Sequence, residues 1–142
     1  MTFDPLGELN WLAVIVAAIA YFAIGAIWYA RPVFGKIWGD AGGFELPERG
    51  EGPGAAIFVT PLIGSVLSAI ALAMIADATG TDTFAEGIAL GVVVAIGFAV
   101  SISLVTAQFE SQKPRPMVWG AVNAGYHVVG TLVAAIIIAN WQ

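Results

Sequence analysis

The chain has 142 residues, of which 59% are hydrophobic and 11% are charged, and its formal net charge at pH 7 is −5. Globular domains carry roughly a quarter charged residues, so this composition excludes an ordinary water-soluble domain. The shortage of Lys and Arg argues against nucleic acid as a partner and against a polybasic lipid-binding surface. Because the chain has no cysteine, disulfides and thiolate chemistry are excluded as well.

Four long apolar stretches follow one another along the chain. About 20 helical residues are needed to cross roughly 30 Å of hydrocarbon, and each stretch meets that length. The sequence therefore predicts an all-α fold, an integral bundle of four transmembrane helices that forms one domain over residues 1–142. The predicted spans cover residues 9–29, 55–76, 86–108 and 117–141.

The first span is not expected to be a secretion signal. Asp4 and Glu8 precede it and no Lys or Arg does, whereas a signal peptide begins with positive charge. We therefore expect it to remain in the mature protein.

Positive charge is confined to the first and third connections between spans. All five basic residues lie there, namely Arg31, Lys36, Arg49, Lys113 and Arg115. Because Lys and Arg are retained on the cytoplasmic side, both connections are predicted to be cytoplasmic and both termini to lie outside.

The first connection has two parts of different character. Residues 32–38 place four apolar side chains around Lys36, a pattern typical of a short amphipathic segment in the headgroup layer. Residues 39–54 are rich in Gly, Pro and Glu and are predicted to form a mobile, solvated loop. In the third connection, Pro116 suits the first turn of the last helix.

Small residues form stripes along three spans. Such stripes allow helix backbones to approach closely in lipid, where hydrophobic burial drives little association. They indicate internal packing or an oligomer interface. The third span has Gly87, Gly91, Ala95, Ala99, Ser103 and Ala107, the second has Thr60, Gly64 and Ser68, and the fourth has Gly120 and Ala124.

His127 is the one ionisable side chain well inside a span, and Asn123 lies one turn before it. Intramembrane polar residues usually face the bundle interior or a wet cavity and indicate a functional site. The alternatives are a hydrogen bond to Tyr21 or a backbone carbonyl that only packs the bundle, and metal or haem ligation shared between subunits. One histidine without cysteine or a buried carboxylate does not make a zinc site within one chain. No cofactor or metal is therefore predicted.

Four short motifs follow one another along the chain: Asn10-Trp11, Gly25 with Trp28-Tyr29, Phe34-Gly35 with Trp38, and Asn123 with Gly125-Tyr126-His127. In these motifs the chain resembles the small prokaryotic membrane proteins called domain of unknown function 1761, and the resemblance covers nearly the whole sequence. It implies four membrane helices in the prokaryotic cytoplasmic membrane and implies no activity.

These motifs predict a polar pocket that opens toward the cytoplasm with His127 at its floor. Three functional classes remain open at this point. A homo-oligomeric transporter or channel fits the stripes and His127, because four short helices are expected to enclose too little volume without symmetry mates. An accessory subunit beside a larger membrane complex fits the short loops. An enzyme fits least, since no nucleophile or metal site is evident. The pocket residues are predicted to be Asn123, Tyr126, His127, Trp28, Tyr29 and Glu110.

Overall fold

The computed structural model describes residues 4–47 and 54–141, and these residues form helices and turns with no strand. Four segments are long and apolar enough to cross a membrane, which confirms the predicted fold class and indicates a multi-pass membrane protein. The helices are α1 (Trp11–Trp28), α2 (Lys36–Gly42), α3 (Val59–Thr79), α4 (Phe84–Val94), α5 (Ser101–Phe109) and α6 (Pro116–Ala139).

Two of the four spans include helix of another type. A 3-10 turn at Ala55–Phe58 leads into α3, so the second span runs from Ala55 to Thr79. A π-helical segment at Ala95–Val100 joins α4 to α5, so the third span is continuous from Phe84 to Phe109. The predicted spans differ from these bounds only at their ends.

Local capping interactions fix several helix ends. The Asn10 side chain accepts a hydrogen bond from the Ala13 N–H at the start of α1. Gly80, at φ +66°, ends α3 in the left-handed conformation that glycine adopts without strain. Thr83 and Glu86 then form a capping box that begins α4. Pro116 occupies the first turn of α6, as predicted.

Helix α6 is the centre of the bundle. It packs against each of the other five helices and against the π-helical segment. Of its most apolar stretch, 44% is buried, compared with 11% in the third span. The buried core joins α1, α3 and α6, and its largest members are Leu72 and Ile138.

Hydrogen bonds show which helix ends lie together. The Asn10 side-chain amide donates to the Trp141 carbonyl at 2.7 Å, which places the start of α1 beside the end of α6. At the opposite end, the Arg115 N–H donates to the Ala41 carbonyl at 3.1 Å and joins the third connection to α2. Both basic connections therefore lie at one end of the bundle, called here the basic end. The other end, which holds the start of α1 and the end of α6, is called the terminal end.

The small-residue stripe of the third span lies largely against α6. A Cβ on Gly87 would lie 3.0 Å from the Ile136 Cα, and one on Gly91 would lie 2.8 Å from the Leu132 Cα. Such distances leave no room for a side chain, so the two backbones are in close contact.

The rest of that stripe divides between two environments. Ala95 and Ala107 are fully buried, and Ala107 faces Gly120 of α6. Ala99 and Ser103 are only half-buried. On α6 itself, Ala124 is buried as well.

Gly64 departs from the expected packing. It is exposed, and no atom lies within 4 Å of the position that its Cβ would occupy. Ser68, one turn later, is half-buried. The second span therefore does not use Gly64 to approach another helix of this chain.

The mobile loop was predicted to begin at residue 39, which is earlier than the helix in the structure ends. Helix α2 continues to Gly42, and its residues Gly39 and Ala41 are buried. The prediction was wrong there because closely spaced glycines are typical of loops, whereas here Gly39 and Gly42 leave room for Phe44, and Gly42 also lies near the Trp119 ring of α6. Residues 43–47 have no regular secondary structure, and residues 48–53 lie outside the described ranges.

Candidate polar site in the centre of the bundle

The centre of the site is a hydrogen bond between α1 and α6. The Tyr21 hydroxyl lies 2.7 Å from His127 Nδ1 and 3.4 Å from the Thr131 hydroxyl. A phenol hydroxyl is a strong donor and the unprotonated nitrogen of a neutral imidazole is a strong acceptor, so we assign the phenol as donor to Nδ1. In that tautomer His127 carries its proton on Nε2. Tyr21 was one of the partners that the sequence offered for His127.

Aromatic rings surround this pair. Tyr21 and Tyr126 are stacked, with ring centroids 5.4 Å apart and planes 13° apart. Tyr126 also meets Tyr29 edge-on at 5.4 Å and lies 4.6 Å from the His127 ring. Offset and edge-on pairs of this kind contribute about 0.5–1.5 kcal/mol beyond the area they bury. The cluster therefore fixes the orientation of Tyr126 and His127 together.

Glycines opposite these rings allow α1 and α6 to approach. The ring of Tyr21 occupies the space that a side chain on Gly130 would need. In the same way Tyr126 lies over Gly25, with ring atoms 3.1–3.2 Å from the position of a Cβ. Each helix thus presents a tyrosine to a glycine of the other helix.

Asn123 holds the basic end of the site together. Its Oδ1 accepts hydrogen bonds from the Tyr29 hydroxyl at 2.7 Å and from Trp38 Nε1 at 3.1 Å. The Tyr29 and Trp38 rings lie against each other at 4.7 Å. One amide oxygen on α6 therefore binds both the end of α1 and helix α2.

A cavity of about 870 Å³ lies between α1, α3 and α6 in the half of the bundle nearest the basic end. No Lys, Arg, Asp or Glu is among the described residues that line it. Its walls combine aromatic and aliphatic side chains with hydroxyl groups and the His127 ring. The lining residues are Tyr21, Phe22, Gly25, Ala26, Tyr29, Trp38, Leu46, Pro47, Gly54, Ile57, Phe58, Thr60, Pro61, Gly64, Ser65, Ser68, Tyr126 and His127.

A second cavity of about 310 Å³ lies between α3, the third span and α6, nearer the middle of the bundle. The π-helical segment lines it with Phe98 and Ala99, and Ser103 lies one turn further along the span. Tyr21, Ser68 and His127 line both cavities. We call these three residues the polar partition, because they stand between the two cavities.

Comparison with known proteins identifies the family. The sequence profile described as "Protein of unknown function (DUF1761)" matches residues 12–139, which is most of the chain. The chain belongs to this family. No curated protein and no solved structure matches it.

The residues that carried the DUF1761 resemblance contact one another across the bundle. The α1–α2 motifs supply Gly25, Tyr29 and Trp38, while the α6 motif supplies Asn123 and Tyr126. Trp28 joins the same interface by donating to the Val122 carbonyl at 3.0 Å and lying over Gly125. Two separated segments of the DUF1761 pattern are thus the two sides of one helix interface.

Three of the six residues predicted for the pocket line the large cavity, and a fourth lies next to it. Tyr29, Tyr126 and His127 line it, and Asn123 lies directly behind Tyr29 and Trp38. Trp28 lies outside both cavities, where its ring contacts Phe34 at 4.3 Å.

Glu110 also lies outside both cavities. Its carboxylate is 3.4 Å from the Lys113 ammonium group, and Lys113 in turn lies 4.4 Å from the centre of the Trp119 ring. Glu110 therefore takes part in an ion pair at the basic end and not in the predicted pocket.

Sequence reasoning missed the contribution of α3 to the site. Thr60, Ser65 and Ser68 line the large cavity, whereas Thr60 and Ser68 had been interpreted as packing residues. Three hydroxyl residues within nine positions of one span are a signal that was present in the sequence. Among residues 4–47 and 54–141, no group of three or more His, Cys, Asp or Glu side chains is placed to hold a metal ion.

Proposed function

We propose that this DUF1761 protein is a small transporter that binds a molecule in the large cavity and passes it across the polar partition. The observation that carries the proposal is the shared wall: Tyr21, Ser68 and His127 line one cavity toward the basic end and another nearer the middle of the bundle. Transporters of many folds bind their substrate near the middle of the bilayer, between two spaces that open in turn.

The size of the large cavity supports binding of a small molecule. Ligand sites usually enclose about 300–1,000 Å³, and about 870 Å³ falls within that range. The expectation from the sequence was that one copy would enclose too little volume. Because this cavity lies within one chain, the proposed binding step does not depend on a second copy.

Helix α3 is the element most suited to move. From Ala55 to Gly64 every residue is exposed, so this part of the span stands away from α1 and α6. The ring of Phe58 still meets the ring of Phe22 edge-on at 6.2 Å. Ser68 is carried on the same helix, so a tilt of α3 would change the cavity and the partition together.

The composition of the site favours binding over catalysis. It offers one imidazole, several hydroxyl groups and tyrosine rings, and its described lining contains no carboxylate or lysine. His127 is hydrogen-bonded to a tyrosine rather than to a Ser or Thr nucleophile, and none of the described lining residues is a carboxylate that could orient it. We therefore propose no reaction for this chain.

An accessory subunit is the second candidate, and the third span is the observation that favours it. Only 11% of its most apolar stretch is buried, and large side chains such as Val93, Ile102 and Phe109 are exposed along it. Such a surface is covered either by lipid or by the helix of a partner protein. Native mass spectrometry from the host membrane separates a homo-oligomer, which the sequence led us to expect, from a complex with a different protein.

Cysteine labelling tests the transport proposal directly, since the chain contains no cysteine of its own. Thr60→Cys lies in the large cavity, Ile75→Cys in the second cavity, and Val93→Cys faces outward as the control. With a membrane-impermeant maleimide we expect Thr60→Cys to react from the side of the basic connections and Ile75→Cys from the opposite side. Val93→Cys should react from neither.

Two results would overturn the proposal. If Thr60→Cys and Ile75→Cys are as unreactive as Val93→Cys, the bundle has no solvent-connected path. If both react from the same side only, the partition does not separate two compartments. The side from which Thr60→Cys reacts also tests the predicted orientation, with the basic connections in the cytoplasm.

A further inference from the structure

The walls of the two cavities carry no fixed charge among their described residues. Three charged side chains at the basic end are engaged elsewhere: Glu110 with Lys113, and Arg31 with the Leu46 carbonyl at 2.6 Å. An ionised ligand in such a site would lose its hydration without gaining an opposite charge. That cost is several kcal/mol for a single charge within a bilayer. The described walls therefore offer no counter-charge to a carboxylate, a phosphate or an ammonium group, and only aromatic ring faces to the last of these.

Four of the side chains that line the large cavity, Tyr21, Tyr29, Trp38 and Ser65, already donate hydrogen bonds to partners inside the protein. The Tyr29 hydroxyl and Trp38 Nε1 donate to Asn123 Oδ1. The Ser65 hydroxyl donates to the Pro61 carbonyl at 2.9 Å. With Tyr21 donating to Nδ1, His127 retains an N–H at Nε2. A ligand can therefore recognise this site by offering an acceptor to His127, beside the hydroxyl groups of Thr60, Ser68 and Tyr126 that line the same cavity.

We propose that the ligand is an uncharged, mainly apolar molecule with a carbonyl-class oxygen, and that this oxygen accepts a hydrogen bond from Nε2 of His127. Its apolar body lies against Phe22 and Phe58, which line the same cavity. This inference rests on the proposed function and names the class of substrate that the site takes.

Photoaffinity labelling with matched probes tests the ligand class. The probes share one dodecyl chain carrying a diazirine and differ in their end group: a methyl ketone, a carboxylate or a trimethylammonium group. The full chain is reconstituted in lipid nanodiscs and the labelled residues are mapped by peptide mass spectrometry. We expect the ketone to label cavity residues about ten-fold more than either charged probe, because each charged end is desolvated without a counter-ion.

Two substitutions at one residue test the role of Nε2. His127→Gln keeps an N–H near the position of Nε2, whereas His127→Asn keeps a polar atom near that of Nδ1. We expect ketone labelling of the Gln variant to stay within about two-fold of that of the unmodified protein. Labelling of the Asn variant should be about ten-fold lower than that of the unmodified protein, which corresponds to about 1.4 kcal/mol of binding free energy. Both variants are compared only as monodisperse protein, and the end-group comparison on the unmodified chain stands without them.

The possible failures are distinguishable. Equal labelling of the cavity by all three probes overturns the uncharged class and leaves the proposed binding site in place. Equal ketone labelling of the Gln and Asn variants overturns recognition by Nε2. Absence of cavity labelling by any probe overturns this inference and the proposed function together.

Discussion

The ring of Tyr21 lies directly against the backbone of Gly130, in the space where any other residue would place its Cβ. This contact sets the distance between α1 and α6 at the level of the partition. It also positions the Tyr21 hydroxyl for its hydrogen bond to His127. Gly130 therefore determines where the side chain of Tyr21 lies.

Gly130→Ala should consequently disrupt the site without adding a polar group. The added methyl displaces the Tyr21 ring, and overpacking of this kind typically costs about 1–3 kcal/mol. The change is measured as the free energy of unfolding in mixed detergent micelles. Gly97→Ala is the matched control, because no atom lies within 4 Å of the position of its Cβ. A Gly130→Ala variant as stable as the control would show that the ring does not hold the helices at this distance.

The Tyr21–His127 hydrogen bond should make a modest contribution to stability. Hydrogen bonds between membrane helices contribute about 0.6 kcal/mol on average and up to about 1.7 kcal/mol, so Tyr21→Phe should destabilise the protein within that range. The same substitution in a His127→Leu background should have little effect, which a double-mutant cycle measures. If His127→Leu alone prevents recovery of folded, monodisperse protein, packing is the principal role of that residue.

Asn123→Leu should release helix α2 from the bundle. The substitution leaves the Tyr29 hydroxyl and Trp38 Nε1 without their shared acceptor, and an unpaired buried donor costs about 1–3 kcal/mol. Hydrogen–deuterium exchange should then increase about ten-fold or more across Lys36–Gly42. Asn140→Leu, at the far end of α6, is the control and should leave exchange in α2 unchanged. Unchanged exchange in both variants would mean that α2 is held by its other contacts.

Replacing glycine by alanine should change the stability of the protein differently in the third and second spans. Gly91→Ala introduces a methyl 2.8 Å from the Leu132 Cα and should cost about 1–3 kcal/mol by forcing α4 away from α6. Gly64→Ala enters open space and should be neutral or slightly stabilising, since alanine favours helix by about 0.5–1 kcal/mol. Thermal unfolding of the two variants in the same detergent compares them. Destabilisation by Gly64→Ala instead would indicate that the second span packs against another molecule.

Much of the architecture could be predicted because lipid imposes simple rules. Span length follows from the thickness of the hydrocarbon, and small-residue stripes follow from the need for close backbone contact. These rules predicted the four spans and the approach of Gly87 and Gly91 to α6. They treat each span as a regular helix, and that assumption limits what they predict about individual side chains.

The third span shows this limit. Residues four apart rotate by about 40° per step around a regular α-helix, so a strict repeat of four cannot face one neighbour over six turns. The π-helical segment Ala95–Val100 interrupts that drift. Ala107 therefore returns to face α6, while Ala99 and Ser103 line the second cavity. No rule of spacing applied to the sequence revealed the π-helical turn.

The composition of the site was predictable only in part for a related reason. His127 and Asn123 stood out because polar residues are rare inside spans. Ser65 did not, because a serine that bonds its own helix backbone is common in membrane helices, and Ser68 was assigned to a packing stripe because serine is also small. Their role depends on the space between α3 and its neighbours, which is a property of the assembled bundle.

The central position of α6 bears on how the protein is made. The first three spans emerge from the ribosome before α6, yet the main contacts of α4 and α5 are with α6. Until that helix enters the bilayer, the third span has lipid as its principal neighbour, and the site lacks the residues that α6 contributes. The principal contacts of α4 and α5 therefore form only after α6 has entered the membrane.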